Sequence, residues 1–551
     1  MVTRISPSGS TRIGSDLLPD SSTVDKLYYW LAGLLILLSL PARFVRLKDS
    51  VWLDESWVVN SLLPPTLHDI FYSKNWAQST PPLFLLLERW MIGLFGYAEP
   101  VFRVVPVVAC LVGTVLAAAA LRRWLSTWAA LIAFTLICSN YYLLKYSQQV
   151  KQYGSDFLVS VVLLLLVGRY LENRSQRAFV AVLVAGVFGI FLSYTAAFWL
   201  PTLFIALSLP GPREAAKPAG PGRIPWGRMA TAGCVLGAAF LLLNFIFIRP
   251  NRTEALVASF EYPSLHRPLW SLHRVISTIG MTLTTRRGAV ADIAGTVAVA
   301  VAAYLVVSAI MRLRTAGLGE ERDLMLVLAG ALPPLLCIAA GFMRLYPMID
   351  FPRMWLFALP SAALLLGASA DIVLSWISRD EAHPVAVPVI VAAACVAVVL
   401  ANQFILIRYP NPTEENRPAI AFIKSHMDSQ DVLFVHGWLF EQFKYYRTLL
   451  GLQPEHLYVG NEGWPCCPLE EDNNAISSPA LTDFHSDLLE AARRAKGHDL
   501  WMLYPAALEG TWESYMRSEL EKFPAVLEEG GCHRESRNLY GLTLVESYSC
   551  R

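Results

Sequence analysis

Charged residues are scarce in this chain of 551 residues, since Asp, Glu, Lys and Arg together make up 16% of it. A soluble protein carries about a quarter charged residues, so this deficit argues against a soluble fold. The net charge of +1 lacks the excess of positive charge that nucleic-acid binding requires, and we expect no nucleic-acid partner. The C-terminal part also lacks a Gly-rich phosphate loop, which argues against a nucleotide site there.

The hydrophobic residues, 55% of the chain, gather in runs long enough to span the hydrocarbon of a bilayer. We therefore predict an α-helical polytopic membrane protein with about eleven spans. The fifth and sixth share one apolar block, Phe179–Leu209, whose two basic flanks are both expected in the cytoplasm. The predicted spans are 27–47, 101–121, 127–144, 154–171, 177–192, 194–209, 229–249, 289–311, 324–343, 354–376 and 385–407.

The basic residues between the spans favour a cytoplasmic N-terminus. Residues 1–26 are polar and rich in serine, and we expect them to be disordered and to precede a retained anchor rather than a cleaved signal peptide. The first outer loop, 48–100, is expected to hold interfacial helices at Ser56–Leu63 and Pro82–Phe95. The prediction is a multi-pass plasma (inner) membrane protein whose chain after residue 408 faces the outside or the periplasm.

Helix-like and strand-like segments alternate over 408–551, which is typical of a small α/β domain with a mostly parallel sheet. The predicted helices are Glu415–His426, Phe440–Leu450, Phe484–Lys496 and Thr511–Phe523, and the predicted strands are Asp431–Val435, His456–Val459, Leu500–Leu503 and Leu542–Glu546. Cys532 and Cys550 flank the last strand and can be bridged if this domain is extracytoplasmic, or else stay free thiols.

Two adjacent carboxylates, Asp54 and Glu55, follow the first predicted span directly. At a water–lipid boundary such a pair can act on a substrate that the membrane holds: one carboxylate serves as general base, and the other supports the acceptor or a divalent ion. We favour Asp54 in the site. The alternative is that Asp54 only caps a short interfacial helix.

Two further segments combine cations with polar groups at predicted outer span ends. The segment Ser147–Asp156 contains Lys151 and Tyr153, which suit a phosphate and a sugar hydroxyl. Asp156 falls just inside the membrane, where an ionisable group is costly and usually functional, although a carboxylate also suits a helix start. Arg353 precedes a late span, and its guanidinium matches a phosphate in charge and geometry.

The order of several short motifs resembles that of GT-C fold integral-membrane glycosyltransferases, in particular the bacterial relatives of protein O-mannosyltransferases and of lipid A aminoarabinose transferase. Leu53-Asp54-Glu55 resembles the acidic motif of the family's first outer loop. The other similar motifs are Ser79-Thr80-Pro81-Pro82-Leu83, Phe102-Arg103-Val104-Val105-Pro106, Arg122-Arg123, Gln149-Val150-Lys151-Gln152-Tyr153, Pro352-Arg353 and Glu415-Asn416-Arg417-Pro418. Lys151 stands where relatives usually have an arginine, so the forked contact to phosphate is lost there.

The resemblance implies transfer of a sugar from a polyprenyl-phosphate-linked donor to a lipid, glycan or protein acceptor at the outer membrane face. Asp54 would be the general base, and Glu55 would order the acceptor or a metal. The residues implied for donor phosphate and sugar binding are Lys151, Arg353, Tyr153, Gln149, Asp156 and Arg103. The cofactor stays open, and a divalent cation, Mg²⁺ or Mn²⁺, held by Asp54 and Glu55 is the candidate.

Two other functions are compatible with the same features. The first is a transporter or flippase of lipid-linked glycans, which would scatter ionisable residues through the midplane of the membrane rather than gather them at one face. The second is a non-catalytic relative whose α/β domain binds a partner. Loss of activity in Asp54→Asn without loss of folding would separate the enzyme from the non-catalytic relative.

Overall fold

The structure is a computed structural model of the chain. It describes residues 21–72, 80–209, 226–252, 257, 260–284, 287–316, 321–377, 386–408, 413–460, 475–477, 484–506 and 521–551. Residues 1–20 of the predicted N-terminal tail and most of the predicted helix Thr511–Phe523 lie outside these described residues.

Eight helices in the described part of the chain are long and apolar enough to cross a membrane, and each coincides with a predicted span. They are Thr23–Phe44, Glu99–Trp124, Tyr153–Asn173, Trp226–Asn251, Ala289–Thr315, Glu321–Phe342, Pro352–Ile377 and Ala386–Arg408. Shorter apolar helices occupy the other three predicted positions, namely Thr127–Ser139, Gln176–Leu192 and Tyr194–Ser208. The polytopic helical fold is confirmed. The count of eleven spans is not confirmed, because these three helices are shorter than a membrane span requires.

The helices are numbered along the chain. Up to residue 208 they are α1 (Ser21–Phe44), α2 (Leu53–Ser61), α3 (Leu67–Tyr72), α4 (Pro82–Phe95), α5 (Glu99–Phe102), α6 (Val104–Trp124), α7 (Thr127–Ser139), α8 (Tyr141–Tyr146), α9 (Tyr153–Asn173), α10 (Gln176–Leu192) and α11 (Leu200–Ser208). The later membrane part contains α12 (Trp226–Leu243), α13 (Arg249–Asn251), α14 (Pro268–Thr284), α15 (Ala289–Ala316), α16 (Glu321–Met325), α17 (Leu332–Phe342), α18 (Leu359–Ile377) and α19 (Ala386–Arg408). Single 3₁₀ or π-helical turns cover Tyr194–Trp199, Asn244–Ile248, Leu326–Ala331 and Pro352–Ala358.

Helices α6 and α9 approach each other closely at their N-terminal ends. A Cβ atom added at Gly154 would lie 2.4 Å from the carbonyl oxygen of Pro106, so the contact requires glycine. One added at Gly113 would lie 2.9 Å from the ring of Phe157. This packing brings the residues that precede the two helices to the same end of the bundle.

The first predicted outer loop contains two longer helices, close to where the sequence predicts them. Helix α4 matches the predicted Pro82–Phe95, whereas α2 begins at Leu53 rather than at Ser56. The difference arises because Trp52 is extended and serves as the N-cap, and the Glu55 side chain accepts the Trp52 N–H at 3.4 Å. Asp54 therefore lies inside the first turn of α2 and is not its cap.

The described residues of the C-terminal part form a six-stranded sheet with the order β3-β2-β1-β4-β6-β5. Strands β1 to β4 are parallel and β6 and β5 are antiparallel, which agrees with a mostly parallel sheet. The strands are β1 (Val432–His436), β2 (His456–Gly460), β3 (Ala475–Ser477), β4 (Asp499–Pro505), β5 (Cys532–Tyr540) and β6 (Thr543–Cys550). The helices are α20 (Asn416–His426), α21 (Phe440–Leu450), α22 (Phe484–Arg494) and α23 (Phe523–Glu529), with a 3₁₀ turn at Gly437–Leu439.

Cys532 and Cys550 are paired across β5 and β6, and the structure joins them in a disulfide. Strands β3 and β5 were not predicted from the sequence. In β5 most side chains are exposed or half-exposed and several are charged, so the apolar alternation of a half-buried strand is missing. Charged side chains on an edge strand protect it from pairing with other chains.

The first loop and the C-terminal part share one hydrophobic core. Buried side chains of α2, α4 and α5 contact buried side chains of α20, α21 and the sheet, among them Val58, Val59, Phe84, Phe102, Ile420, Phe443, Tyr445 and Val545. The edge-to-face contact between Phe102 and Tyr445, with ring centroids 5.8 Å apart, lies in this core. Burial of this apolar surface fixes the C-terminal sheet against the helix that carries Asp54.

Candidate active site

The side chain of Asp54 contacts that of Arg353, as the shared site predicted from the sequence requires. The Oδ2 atom of Asp54 lies 3.2 Å from an Nη2 atom of Arg353, and the two side chains are 30% and 16% exposed. Asp54 projects from the first turn of α2, and Arg353 from the start of the 3₁₀ turn Pro352–Ala358 before α18. A carboxylate and a guanidinium far apart in sequence thus meet at one end of the helical bundle.

Aromatic rings surround Arg353 and fix its orientation. Its guanidinium carbon lies 5.0 Å from the ring centroid of Phe351 and 5.9 Å from those of Trp52 and Tyr146. These are cation–π distances, and such contacts hold a guanidinium without using its N–H groups. The Nε atom of Arg353 is buried without a hydrogen-bond partner, so it can still donate to a bound anion.

Lys151 supplies a second cation to the same place. Its side chain is buried, and burial lowers the pKa of the ammonium below its ordinary value. The carboxylate of Asp54 partly opposes this fall in the pKa of Lys151, whereas the cation Arg353 adds to it. The arrangement places two cations around one partly exposed carboxylate, and it suits an additional negative charge.

Glu55 faces a different partner from Asp54. Its carboxylate is fully buried and receives two hydrogen bonds from Arg103, Nε to Oε1 at 3.1 Å and Nη2 to Oε2 at 2.7 Å. It also accepts the backbone N–H of Val150 at 2.8 Å. Because Val150 immediately precedes Lys151, Glu55 connects α2 to the segment that carries the second cation.

The guanidinium of Arg103 is also hydrogen-bonded to other parts of the protein. Besides Glu55, its Nη1 and Nη2 atoms donate to the backbone carbonyls of Arg46, Leu47, Asp49 and Ser50 at 2.7–3.3 Å. All three guanidinium nitrogens therefore have protein acceptors. Arg103 thus joins the loop after α1 to Glu55, and the predicted contact with the donor would have to compete with these acceptors.

Tyr153, Gln149 and Asp156 lie along the same chain segment as Lys151. The ring of Tyr153 packs edge-to-face on Tyr146 at 5.3 Å, and it interacts electrostatically with Arg353 and Asp54. One buried oxygen of each, Oε1 of Gln149 and Oδ1 of Asp156, has no hydrogen-bond partner. The hydroxyl groups of Ser193 and Thr195 contact the Asp156 carboxylate as well. Unpaired buried acceptors of this kind are costly unless a ligand or water satisfies them.

Several further residues of the site were not predicted from the sequence. Unpaired buried atoms at Trp52 Nε1, Gln152 Oε1 and Ser155 Oγ occur on the same segments, and Tyr146 borders Arg353. Gln152 and Ser155 lie within the predicted segment Ser147–Asp156, so the polar composition of that segment could have indicated them. Tyr146 gave no signal, because an aromatic residue near a span end is common.

Glu88 on α4 is another buried carboxyl, and no sequence motif predicts it. Neither of its carboxyl oxygens has a hydrogen-bond partner. Burial raises the pKa of Glu88 well above its ordinary value, and the nearby Glu55 raises it further. Burial without a partner therefore disfavours the charged form of the Glu88 carboxyl.

The pair Asp54 and Glu55 does not fit a shared divalent cation. Glu55 is saturated by Arg103 and by backbone N–H groups, and Asp54 faces the cation Arg353. Within the described ranges no group of three or more His, Cys, Asp and Glu residues has metal-site geometry.

Comparison with known proteins supports the fold. A family model described as dolichyl-phosphate-mannose-protein mannosyltransferase matches residues 79–246. A search of curated proteins found no match. Apo ArnT from Cupriavidus metallidurans is similar over 96% of this chain and 98% of that one, with 13% sequence identity and a TM-score of 0.51.

Two further solved structures are similar at 13% identity and a TM-score of 0.48. One is ArnT of the same organism bound to undecaprenyl phosphate, covering 96% of this chain and 98% of that chain. The other is the Archaeoglobus fulgidus oligosaccharyltransferase tethered with an acceptor peptide, covering 97% of this chain and 75% of that chain. The similarity to apo ArnT shows that the chain has the GT-C fold of integral-membrane glycosyltransferases, and its residues 79–246 match the family model of dolichyl-phosphate-mannose-protein mannosyltransferases.

Proposed function

We propose that this protein transfers a sugar from a polyprenyl-phosphate-linked donor to a lipid, glycan or protein acceptor, with Asp54 as the general base. One observation carries the proposal: Asp54 contacts Arg353 at 3.2 Å, beside the buried cation Lys151. A base next to two cations is what a sugar–phosphate linkage requires, since the nucleophile must lose a proton while the phosphate leaves with its charge.

The position of the site favours a lipid-linked donor. Lys151 lies just before the span Tyr153–Asn173, and Arg353 begins the span Pro352–Ile377, so both cations stand where a span begins. A donor with a polyprenyl chain can keep the chain in the bilayer while its phosphate reaches this boundary. The family model matched by residues 79–246 is named for a dolichyl-phosphate-linked mannose donor, which is a lipid of this class.

In the proposed reaction the acceptor hydroxyl or amine attacks the anomeric carbon of the sugar. The proton of the acceptor passes to the carboxylate of Asp54 as the new bond to the anomeric carbon forms. The bond between the anomeric carbon and the phosphate oxygen breaks, and polyprenyl phosphate leaves. Arg353 and Lys151 stabilise the charge that develops on the phosphate. No step passes through a metal ion.

Donor binding would rearrange the contact between Asp54 and Arg353. In the structure Arg353 is paired with the carboxylate that the reaction needs. The phosphodiester of the donor carries one negative charge, as a carboxylate does, but its oxygens can accept from Arg353 and Lys151 together, so it would compete for Arg353 and release Asp54 for the acceptor. The base is thus paired until the donor arrives.

The remaining polar groups of the segment are proposed to bind the sugar. Oε1 of Gln149 and Oδ1 of Asp156 are buried acceptors without partners, and Tyr153 supplies a hydroxyl group on a ring that packs against Tyr146, next to Arg353. Sugar hydroxyl groups are hydrogen-bond donors, so they would satisfy acceptors that otherwise stay unpaired. Glu55 and Arg103 are proposed to hold α2 and the Lys151 segment in place.

The site is proposed to face the outside or periplasm of a plasma (inner) membrane. The C-terminal sheet carries the Cys532–Cys550 disulfide, and disulfides persist in oxidising compartments. That sheet shares a core with α2, so the site and the disulfide lie on the same side of the bilayer.

The test is reconstitution of the protein in liposomes that contain polyprenyl-phosphate sugars, with mass spectrometry of the lipids and acceptors. We expect polyprenyl phosphate and a glycosylated acceptor to appear together. Movement of the intact donor across the bilayer without cleavage would indicate a flippase instead. In cells, an envelope glycan profile that does not change when the gene is deleted would contradict the proposal.

A further inference from the structure

The segment that leads to Arg353 takes an irregular path. Residues 343–351 join α17 to the 3₁₀ turn Pro352–Ala358, and they consist of turns, bends and irregular chain. Arg344 and Asp350 in this segment have left-handed backbone conformations, with φ of 55° and 62°. Such values are uncommon for residues other than glycine, and they persist where surrounding contacts hold them. The contacts of Asp350 therefore influence how the chain enters the turn that carries Arg353.

Helix α14 holds Asp350 by two contacts. The carboxylate of Asp350 forms an ion pair with the Nη2 atom of Arg274. The backbone N–H of Asp350 donates to the hydroxyl group of Thr278 at 3.0 Å. Arg274 and Thr278 are four positions apart on α14, so their side chains lie on the same face of the helix, one turn from each other. One of them thus binds the side chain of Asp350, and the other binds its backbone.

Neighbouring side chains orient Arg274. The guanidinium carbon of Arg274 lies 5.7 Å from the ring centroid of Trp270, which is a cation–π distance. The Nη2 atom that contacts Asp350 also lies 3.3 Å from the Oε2 atom of Glu261. The guanidinium is therefore shared between two carboxylates, and of these two the carboxylate of Asp350 belongs to the segment before Arg353.

Helix α14 is supported by a close contact with α15. A Cβ atom added at Gly280 of α14 would overlap the carbonyl oxygen of Ala291, and one added at Gly295 of α15 would overlap the carbonyl oxygen of Ile276. Both approaches require glycine, since any larger residue would push the two backbones apart. Because the backbones of the two helices touch, α14 offers Asp350 a fixed position.

Phe351, the residue after Asp350, connects this support to the cation of the site. The ring centroid of Phe351 lies 5.0 Å from the guanidinium carbon of Arg353, closer than the rings of Trp52 and Tyr146. The same ring packs edge-to-face on Phe260, with ring centroids 5.5 Å apart. A change in the backbone at Asp350 would move the ring of Phe351, and the orientation of Arg353 would change with it.

We propose that Asp350 is a positioning residue, whose contacts with α14 hold the segment before Arg353 so that the guanidinium meets the donor phosphate in the correct orientation. The inference rests on the proposed function, in which Arg353 binds that phosphate. A guanidinium binds a phosphate best through two parallel N–H groups, and this requires a defined orientation of its plane. Without the contacts of Asp350, Arg353 would keep its charge but lose part of its affinity for the phosphate.

The experiment measures binding of polyprenyl phosphate to Asp350→Ala and Asp371→Asn in the full-length protein in liposomes. Asp371 is the matched control, because it pairs with Arg322 near the other end of α18, far from Arg353. Asp350→Ala loses the ion pair and the tolerance for a left-handed backbone, and we expect its dissociation constant to rise by about tenfold. The constant of Asp371→Asn should stay within about twofold of the unchanged protein.

A double-mutant cycle separates positioning of Arg353 from a general loss of structure. Arg353→Lys already lacks the forked contact, so adding Asp350→Ala to it should weaken binding of polyprenyl phosphate by less than about twofold more. A merely structural effect would weaken binding by the same factor with either residue at position 353. Arg274→Met should weaken binding as Asp350→Ala does, and the two changes together should cost no more than one of them.

Hydrogen exchange gives a readout that needs no donor. We expect the amides of Met348–Phe351 to exchange faster in Asp350→Ala than in Asp371→Asn, because α14 no longer holds this segment. Equal exchange in the two variants, or equal weakening by Asp350→Ala with arginine and with lysine at position 353, would overturn the inference alone. If Arg353→Lys binds polyprenyl phosphate as tightly as the unchanged protein, the proposed role of Arg353 fails, and the inference fails with it.

Discussion

Replacement of Glu55 by glutamine tests whether the second carboxylate of the acidic pair holds the site or takes part in it. Glu55 and Arg103 are 0% and 3% exposed, and they share two hydrogen bonds. The substitution keeps the shape of the side chain but leaves the charge of Arg103 buried without a counter-charge. Breaking a buried ion pair in this way costs about 3–5 kcal/mol. We therefore expect a clear fall in thermal stability.

The assay is thermal unfolding of the purified protein in detergent, with Asp54→Asn as the matched control. That control makes the same chemical change at the neighbouring, partly exposed carboxylate, where loss of the contact with Arg353 costs about 1 kcal/mol or less. A second comparison tests the direction of the stability change. Arg103→Met leaves Glu55 as the unpaired charge, so adding Glu55→Gln to Arg103→Met should raise stability rather than lower it.

Two results would refute this reasoning. If Glu55→Gln unfolds at the same temperature as the unchanged protein, the pair with Arg103 does not hold α2. If Glu55→Gln is stable but inactive, Glu55 contacts the acceptor or a metal directly, and the role given to it in the proposed reaction is wrong.

Three other predictions concern the donor. Arg353→Lys keeps the charge but loses the fork and the aromatic contacts, and we expect the donor KM to rise by about tenfold, measured by steady-state transfer. The pKa of Lys151 is lowered, so its ammonium should lose its proton at a pH below the ordinary lysine pKa, and donor binding should weaken as pH rises through that range. Arginine stays charged there, so Lys151→Arg should remove this rise of the donor KM at alkaline pH. The same rise of the donor KM at alkaline pH in the unchanged protein and in Lys151→Arg would contradict this prediction. Asp156→Asn should weaken binding of the donor but not of sugar-free polyprenyl phosphate, measured by competition; equal weakening would exclude a role in sugar binding.

The membrane part could be predicted well because bilayer thickness sets a length that the sequence must respect. Each of the eight long apolar helices lies at a predicted span. The three short helices, such as Thr127–Ser139, show the limit of this reasoning, since an apolar run does not reveal where its helix ends. The predicted helix Phe440–Leu450 was also confirmed, and Gly451 with φ of 67° explains its clear end.

The contact between Asp54 and Arg353 could be anticipated because charge at span ends is unusual and both residues were expected on one side of the bilayer. The ion-pair partner of Glu55 could not be anticipated from the sequence. Arg103 is far from Glu55 in sequence, and nothing in either motif states that the two side chains meet. For the same reason the motif predicts a donor contact for Arg103 and gives no sign of its ion pair with Glu55.

The start of α2 was also beyond the reach of sequence patterns. Its position at Leu53 rather than Ser56 depends on the extended backbone of Trp52 and on the hydrogen bond that the Glu55 carboxylate accepts from the Trp52 N–H.

The most direct test of the central claim is single-turnover transfer by Asp54→Asn in liposomes, with donor binding measured in the same sample. The variant retains the shape of the side chain and removes the base. We predict that the transfer rate falls by about 10²–10⁴-fold, as expected for loss of a general base. Donor binding should be retained or tightened, because Arg353 no longer pairs with a carboxylate. A variant that transfers sugar at the unchanged rate would contradict the account.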